Sequence, residues 1–323
     1  MTGGPIAGER GHALATALRM VVVSPDCRSA TIGQRTISAS GPDSLRPGLS
    51  AAIYDELHAG WTRPEIRPGT DLRDQGIEDA FRRRMPNPDV IRTEPVLDNR
   101  PEHVLVRLNG VRVWVPRDRV EQPDAAGARI RLPADRPALS AGYFLAESGD
   151  SWILSGSVLR VYVHLTSMTA AYDAWAAVHR VLAGLETGYR VKVASWPAML
   201  PRRDALVVYL AAWQRDMTQR LVTTLRDLRG VGPETSVFAR AVAPGVAVAW
   251  EPADPRPGMS GLSFGEHRAG VLAGALIRHA TSQSAGDDLS LTTVLKDAFT
   301  EAGIDPGDPS RNLPDGDGDG VLP

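Results

Sequence analysis

The chain has 323 residues, 43% of them hydrophobic, enough for one large domain or two modest ones with a buried core. With 36 basic and 38 acidic side chains the net charge is -2, so no whole-surface field gathers nucleic acid or anionic membrane, and an anionic ligand has to be caught locally. The single cysteine, Cys27, cannot close an intramolecular disulfide or build a cysteine zinc site; with no signal-like N-terminus and no apolar run of spanning length, the expectation is a cytoplasmic protein.

Among the 36 basic residues only Lys192 and Lys296 are lysine. Such arginine bias, with abundant Ala, Gly and Pro, points to a GC-rich genome of actinobacterial type. Against that drift a retained lysine hints that arginine would not serve.

In chain order, residues 1–45 lack periodicity and are expected to be irregular or mobile. Residues 46–100 form a helical and loop region: Ile53, Leu57 and Trp61 at helical spacing predict a helix near 48–60, and 62–100 reads as loops with one short helix. In HVLVRLNGVRVWVPRDRV, two alternating runs flank Asn109-Gly110 and predict a tight hairpin, because both turn positions accept positive φ. GARIRLP and AGYFLAES extend this to an antiparallel meander.

From residue 155 strands and helices mix: VLRVYVHL, a helix near 167–186, YRVKVAS, ALVVYL running into a helix near 211–229, VAVAW, a helix over 264–280, and a further exposed helix carrying Lys296. The expected fold class is α+β, a mostly antiparallel sheet with helices packed against it, over a unit of 101–303. The acidic tail, 304–323, is expected to be disordered; its Asp315, Asp317, Asp319 and Gly320 resemble half an EF-hand loop without the closing glutamate, so no metal is assigned.

Strand alternation sets Arg160, Tyr162 and His164 on one face of VLRVYVHL, and Arg190 with Lys192 on one face of YRVKVAS. Were the two strands neighbours, these faces would form a basic floor; each alone also suits a solvent-facing sheet surface. Arg202, Arg203 and Asp204 precede an apolar strand, where the carboxylate can fix an arginine fork; a loop salt bridge explains the segment equally well. Ser263 stands three residues before Glu266, the spacing of a capping box, and His267 and Arg268 continue the apolar stripe of the helix that follows. Two basic side chains in a first turn oppose the helix dipole, an arrangement that suits an anion such as phosphate; a histidine satisfied in the core is the competing reading. His12, His58, His103, His179 and His279 lack such company and read as surface or packing residues. P-loop, dinucleotide and HExxH signatures are absent.

Taken in order, AGYFLAESGD, VLRVYVHL, YRVKVAS, PRRDALVVYL, VFARAVAPGVAVAWEP and SFGEHR resemble the HopA family, named from a type III secretion effector of plant pathogens, over about residues 100–280. The resemblance implies actinobacterial relatives that sit beside kinases in class V lanthipeptide and thioamitide clusters, where phosphoserine and phosphothreonine elimination gives dehydroalanine and dehydrobutyrine. The family's motif positions fall on Arg160 and Tyr162, on Lys192, on Arg202 and Asp204, and on Ser263, Phe264, Gly265, His267 and Arg268. His164 stands where asparagine is expected, and Ala239 where threonine is usual.

Elimination needs a base for the α-proton, a clamp for a departing phosphate of roughly two negative charges, and an acid for the leaving oxygen. Lys192 is the expected base, in a role arginine cannot fill because it stays protonated. Arg160, Arg190, Arg202 and Arg268, with Asp204 as orienter, are the expected phosphate site. His267 is the expected acid, with Tyr162, His164 and Tyr209 as alternatives. No cofactor or metal is called for. Expected partners are a phosphorylated precursor peptide and a cluster-encoded kinase and cyclase, with neither nucleic acid nor membrane. The rival reading is a non-catalytic module that binds the phosphorylated or leader peptide and presents it; lanthionine cyclisation ranks third, for want of zinc ligands.

Overall fold

In the computed structural model, residues 14–62, 70–108, 110–124, 127–137, 139–148, 157–183, 185, 188–287 and 289–313 are described. His12, Asn109, Asp315, Asp317, Asp319 and Gly320 lie outside them.

The fold is α+β. Its centre is a six-stranded antiparallel sheet of β10 (Tyr143–Ser148), β11 (Val158–Leu165), β12 (Tyr189–Ala194), β13 (Arg202–Ala211), β14 (Arg240–Ala243) and β15 (Val246–Trp250), in the order β10-β12-β13-β11-β15-β14. All eight residues of β11 are buried, because both faces of this inner strand are covered. One face carries Val161, Val163, Val191, Val193, Leu206 and Val208 against the helices Met168–Leu182 and Met217–Leu225. The other carries Tyr162, Val207 and Ala249 against the helices Pro42–Ile53 and Phe264–Ser284. In chain order α1 is Pro42–Ile53, α2 Gln75–Arg82, α3 Met168–Leu182, α4 Met217–Leu225, α5 Phe264–Ser284 and α6 Leu291–Glu301.

Several expectations need correction. The described part of the N-terminal stretch is not irregular: β1 (Val21–Val23), β2 (Ser29–Ile32) and β3 (Arg35–Ser38) form an antiparallel sheet, and Val21, Ala30 and Ile32 join the core beneath α1 and α5. Strands this short show too little alternation to be read from sequence. The first helix starts earlier than expected and passes into a π-helical turn at Tyr54–Ala59, ended by Gly60 at φ 58°. Region 62–100 holds α2 but also β4 (Asp89–Glu94) and β5 (Val96–Asn99).

The hairpin of β6 (His103–Leu108) and β7 (Val111–Pro116) forms as expected, with Leu108 opposite Val111 and Gly110 at φ 82°. The meander does not. With β8 (Val120–Asp124) and β9 (Gly127–Pro133), the region divides into sheets β5-β6-β7 and β4-β9-β8 around Val104, Val106, Val115, Ala128 and Ile130, while β10 joins the main sheet. Finally, residues 305–313 are ordered: Trp250 N donates to Ser310 O at 2.9 Å and Leu313 N to Gly303 O at 2.8 Å. Backbone pairing to the core outweighs a composition that reads as disordered.

Candidate active site

Register gathers the site. Arg190 and Arg160 both pair with Tyr209 across β13, and Lys192 and Tyr162 both pair with Val207, so these side chains share one face in two adjacent rows. Strands β11 and β12 are not neighbours as anticipated; β13 lies between them. Nor is the floor a bare basic one. A buried charge is tolerated only when paired, and each arginine meets a carboxylate: Arg160 pairs through Nε and Nη2 with Glu251, Arg190 donates through Nε to Glu147 at 2.9 Å, and Arg202 donates through Nε to Asp204 Oδ1 at 2.6 Å and through Nη2 to Oδ2 at 3.0 Å.

Lys192 differs. Its Nζ lies 3.9 Å from the ring centroid of Tyr143, and it makes neither an ion pair nor a hydrogen bond among the described residues. Arg160, Lys192 and Tyr209 line an open cleft of about 340 Å³ with Tyr54, Tyr143 and Glu251. Its far wall is the loop from Gly261 to Ser263 that enters α5, together with Glu266.

Under this floor lies a polar network centred on Asp204. Tyr54 Oη donates to Asp204 Oδ2 at 3.1 Å, Arg202 Nη2 donates to Tyr54 Oη at 2.8 Å, and His58 Nε2 stands 3.6 Å from Asp204 Oδ2. Burial works to raise the Asp204 pKa, but Arg202 and His58 outweigh it and hold the carboxyl well below its usual range. Burial pushes His58 down to about 4 against the pull of Asp204, so the ring is neutral near pH 7. Burial also raises the phenols of Tyr54, Tyr143 and Tyr162, which therefore remain protonated. The Tyr162 hydroxyl makes no hydrogen bond of good geometry.

The SFGEHR segment is explained almost entirely by structure. Ser263 Oγ accepts from Glu266 N at 3.3 Å, and Glu266 Oε2 accepts from Ser263 N at 2.8 Å, so the helix supplies its own anion at its N-terminus. Phe264 is fully buried against His58 and Tyr162. Gly265 leaves no room for a side chain: a Cβ there would stand 2.3 Å from His58 Cδ2.

His267 and Arg268 point inward as expected, at 1% and 0% exposure, but line no part of the cleft. Arg268 Nη1 donates to His267 Nδ1 at 2.7 Å, which leaves His267 Nε2 to donate to Asp254 Oδ2 at 2.8 Å. That tautomer is neutral, and burial also lowers the His267 pKa. Three further Arg268 donors reach Pro309 O at 2.8 Å, Arg311 O at 3.3 Å and Asn312 Oδ1 at 3.1 Å, so four of its five N–H groups are used. These two residues tie the C-terminal segment to α5, away from the cleft.

His164 sits at the other end of β11 against Gly232, its Nδ1 3.2 Å from Glu234 O, with its pKa lowered by burial. The structure thus brings Arg160, Lys192 and Tyr209 to the cleft, Arg202 and Asp204 to the network around Tyr54 beside it, and Arg190 and Tyr162 to the same face. It leaves His164, His267 and Arg268 apart. Sequence reading missed Glu251, Tyr143, Tyr54 and His58. Tyr54 and His58 were visible as an i, i+4 pair; Glu251 requires the β11–β15 register, in which Arg160 lies opposite Ala249.

Among the described residues no helix is long and apolar enough to cross a membrane, and no cluster of His, Cys, Asp and Glu could hold a metal ion. A comparison with curated proteins gives no match. Among solved structures the chain is similar to the effector protein from Pseudomonas syringae pv. tomato strain DC3000, at 13% identity and a TM-score of 0.46, over 95% of this chain and 97% of that one. It is also similar to the effector protein from Pseudomonas syringae pv. syringae strain 61, at 13% identity and a TM-score of 0.43, over 84% of this chain and 92% of the other. The model of the HopA1 effector protein family matches residues 134–311, more than half of the sequence and all of the main sheet, and the chain belongs to that family.

Proposed function

We propose that the chain is a phosphoserine/phosphothreonine lyase, eliminating phosphate from a kinase-phosphorylated ribosomal precursor peptide to leave dehydroalanine or dehydrobutyrine, as in lanthipeptide-type biosynthesis in an actinobacterial cytoplasm. A cluster-encoded kinase and cyclase are its proposed partners. The observation that carries the reading is Lys192, the one cation on this face without a carboxylate partner among the described residues.

Lys192 Nζ takes the α-proton. The freed electron pair forms the Cα=Cβ bond while the Cβ–O bond breaks, and phosphate leaves with the bonding pair. Arg160 is the principal clamp: Glu251 uses Nε and Nη2, leaving Nη1 for a phosphate oxygen. Tyr209, on whose ring Arg160 lies at 4.9 Å, is the proposed donor to the leaving oxygen in place of His267, whose ring nitrogens are both engaged. Asp204 holds Arg202 in the network behind Tyr54.

One observation favours the rival presenting module: Lys192 on the face of Tyr143 is a cation–π seat, which suits a lysine that stays charged and only holds phosphate. Mass spectrometry of a phosphorylated precursor peptide incubated with wild type, Lys192→Arg and Lys192→Gln separates the two. Loss of phosphoric acid with wild type alone supports the lyase. A phosphopeptide that binds and stays intact with all three overturns it and leaves the module.

A further inference from the structure

A second cleft, of about 460 Å³, adjoins the first and shares Tyr54 and Glu266 with it. Its character is different. Trp61, Trp196, Met199 and Leu72 line it, with Pro47 and Ala51 of α1 on the opposite side. Its one cation, Arg202, is engaged by Asp204 and Tyr54 and lies 4.8 Å from the Trp61 ring centroid, so no uncommitted charge faces a ligand there. The Trp61 indole N–H is likewise spent, donating to Ala198 O at 3.0 Å. What remains to a ligand is chiefly aromatic and aliphatic surface, which rewards apolar contact and gives a phosphate nothing.

We propose that this second cleft is a specificity subsite that receives an apolar, aromatic-sized side chain close in sequence to the residue held in the first cleft. The inference rests on the reading of the first cleft as the seat of a peptide phosphoresidue. An extended peptide advances about 3.3–3.6 Å per residue, so a chain crossing the shared Tyr54–Glu266 wall places a near neighbour of the reacting residue among the tryptophans. Elimination at the first cleft then depends on what flanks the phosphoresidue, and the preference is for Phe, Leu or Trp over Ala or Asp. Negative charge at the flank is disfavoured because Glu266 stands at the rim and no free cation answers it.

The test measures affinity and turnover separately. Fluorescein-labelled phosphoserine peptides carry Ala, Leu, Phe or Asp at each of the two positions on either side of the phosphoserine, and each is paired with an unphosphorylated copy. Titration by fluorescence anisotropy against wild type, Trp196→Ala and Leu72→Ser gives the affinities, and mass spectrometry the elimination rates; thermal melting confirms that the variants fold. Expected is a gain of about tenfold in affinity for Phe or Leu over Ala at one flanking position, falling to near unity in Trp196→Ala and reduced in Leu72→Ser. Equal affinity across all flanks, or a gain that survives both substitutions, overturns the subsite even where elimination proceeds. A flank preference that persists in the unphosphorylated peptides, with no effect of phosphate and no elimination, supports the subsite and removes the lyase reading instead. No binding by any peptide overturns both.

Discussion

The cleft around Lys192 and the cluster around His267 draw on the same kinds of side chain: arginines, a carboxylate, an aromatic ring and one proton-transfer residue. They differ in how completely those groups are satisfied. At His267 the imidazole takes a hydrogen bond from Arg268 and gives one to Asp254, while Arg268 spends its other donors on Pro309, Arg311 and Asn312. In the cleft the arginines are also paired, but Lys192 makes no ion pair or hydrogen bond among the described residues; it rests on the Tyr143 ring and acts on Asp204 only through its charge. A motif rich in His and Arg marks a site only if some valence is left over; a closed set of partners marks an anchor. The anchor still bears on the cleft, because Asn312 Nδ2 donates to Glu251 O at 2.7 Å and Glu251 fixes Arg160.

If the anchor is structural, its loss shows first in stability. Arg268→Ala strands several buried acceptors and opens a cavity, for an expected loss on the order of 3–5 kcal/mol, read as a drop in Tm or in denaturant midpoint. A variant that melts like wild type but fails to bind phosphopeptide would move Arg268 from the anchor to the ligand. Acid should act on a similar scale. Burial lowers His58 and His179 to about 4 from 6.5. Between those values the unfolded chain binds the protons, so stability is full above pH 6.5 and falls as pH drops towards 4, by up to about 3 kcal/mol per histidine. Chemical denaturation across that window checks this, and His179→Phe should flatten the curve. Gly265→Ala comes next: its Cβ would press on the rings of His58 and Tyr54, costing about 1–3 kcal/mol. Melting as stable as wild type would show that α5 is free to shift over the π-helical turn.

Much of the sheet was legible because its strands alternate strongly: VLRVYVHL, YRVKVAS and VAVAW all form where their patterns place them. The Asp204 fork on Arg202 was legible too, being only two residues away. What sequence could not give was partnership at a distance. Nothing local shows that β13 separates β11 from β12, that Glu251 closes on Arg160, or that residues 309–312 return to Arg268. The same gap explains why His267 read as an acid: its inward direction follows from helical period, whereas the Asp254 carboxylate that takes its second ring nitrogen comes from outside the helix. His58 was passed over for the opposite reason. Its nearest sequence neighbours are apolar, and its Ser236 and Asp204 partners come from strands and loops far along the chain.

The smallest expected stability change is the sharpest test of the contrast. Lys192 is half-buried and has no ion pair to lose, so Lys192→Gln gives up chiefly a cation–π contact, worth about 0.5–1 kcal/mol at such a site, and keeps the first part of the stem. Its Tm should therefore stay within a few degrees of wild type, while elimination falls by a factor on the order of 10² or more, as expected when a base is removed. A structural lysine would behave the other way, with Tm falling and the residual activity tracking the folded fraction. Placing Lys192→Gln beside Arg268→Ala in one melting and turnover series makes the two regions controls for each other, because each variant predicts a large change in the quantity the other is least expected to move directly.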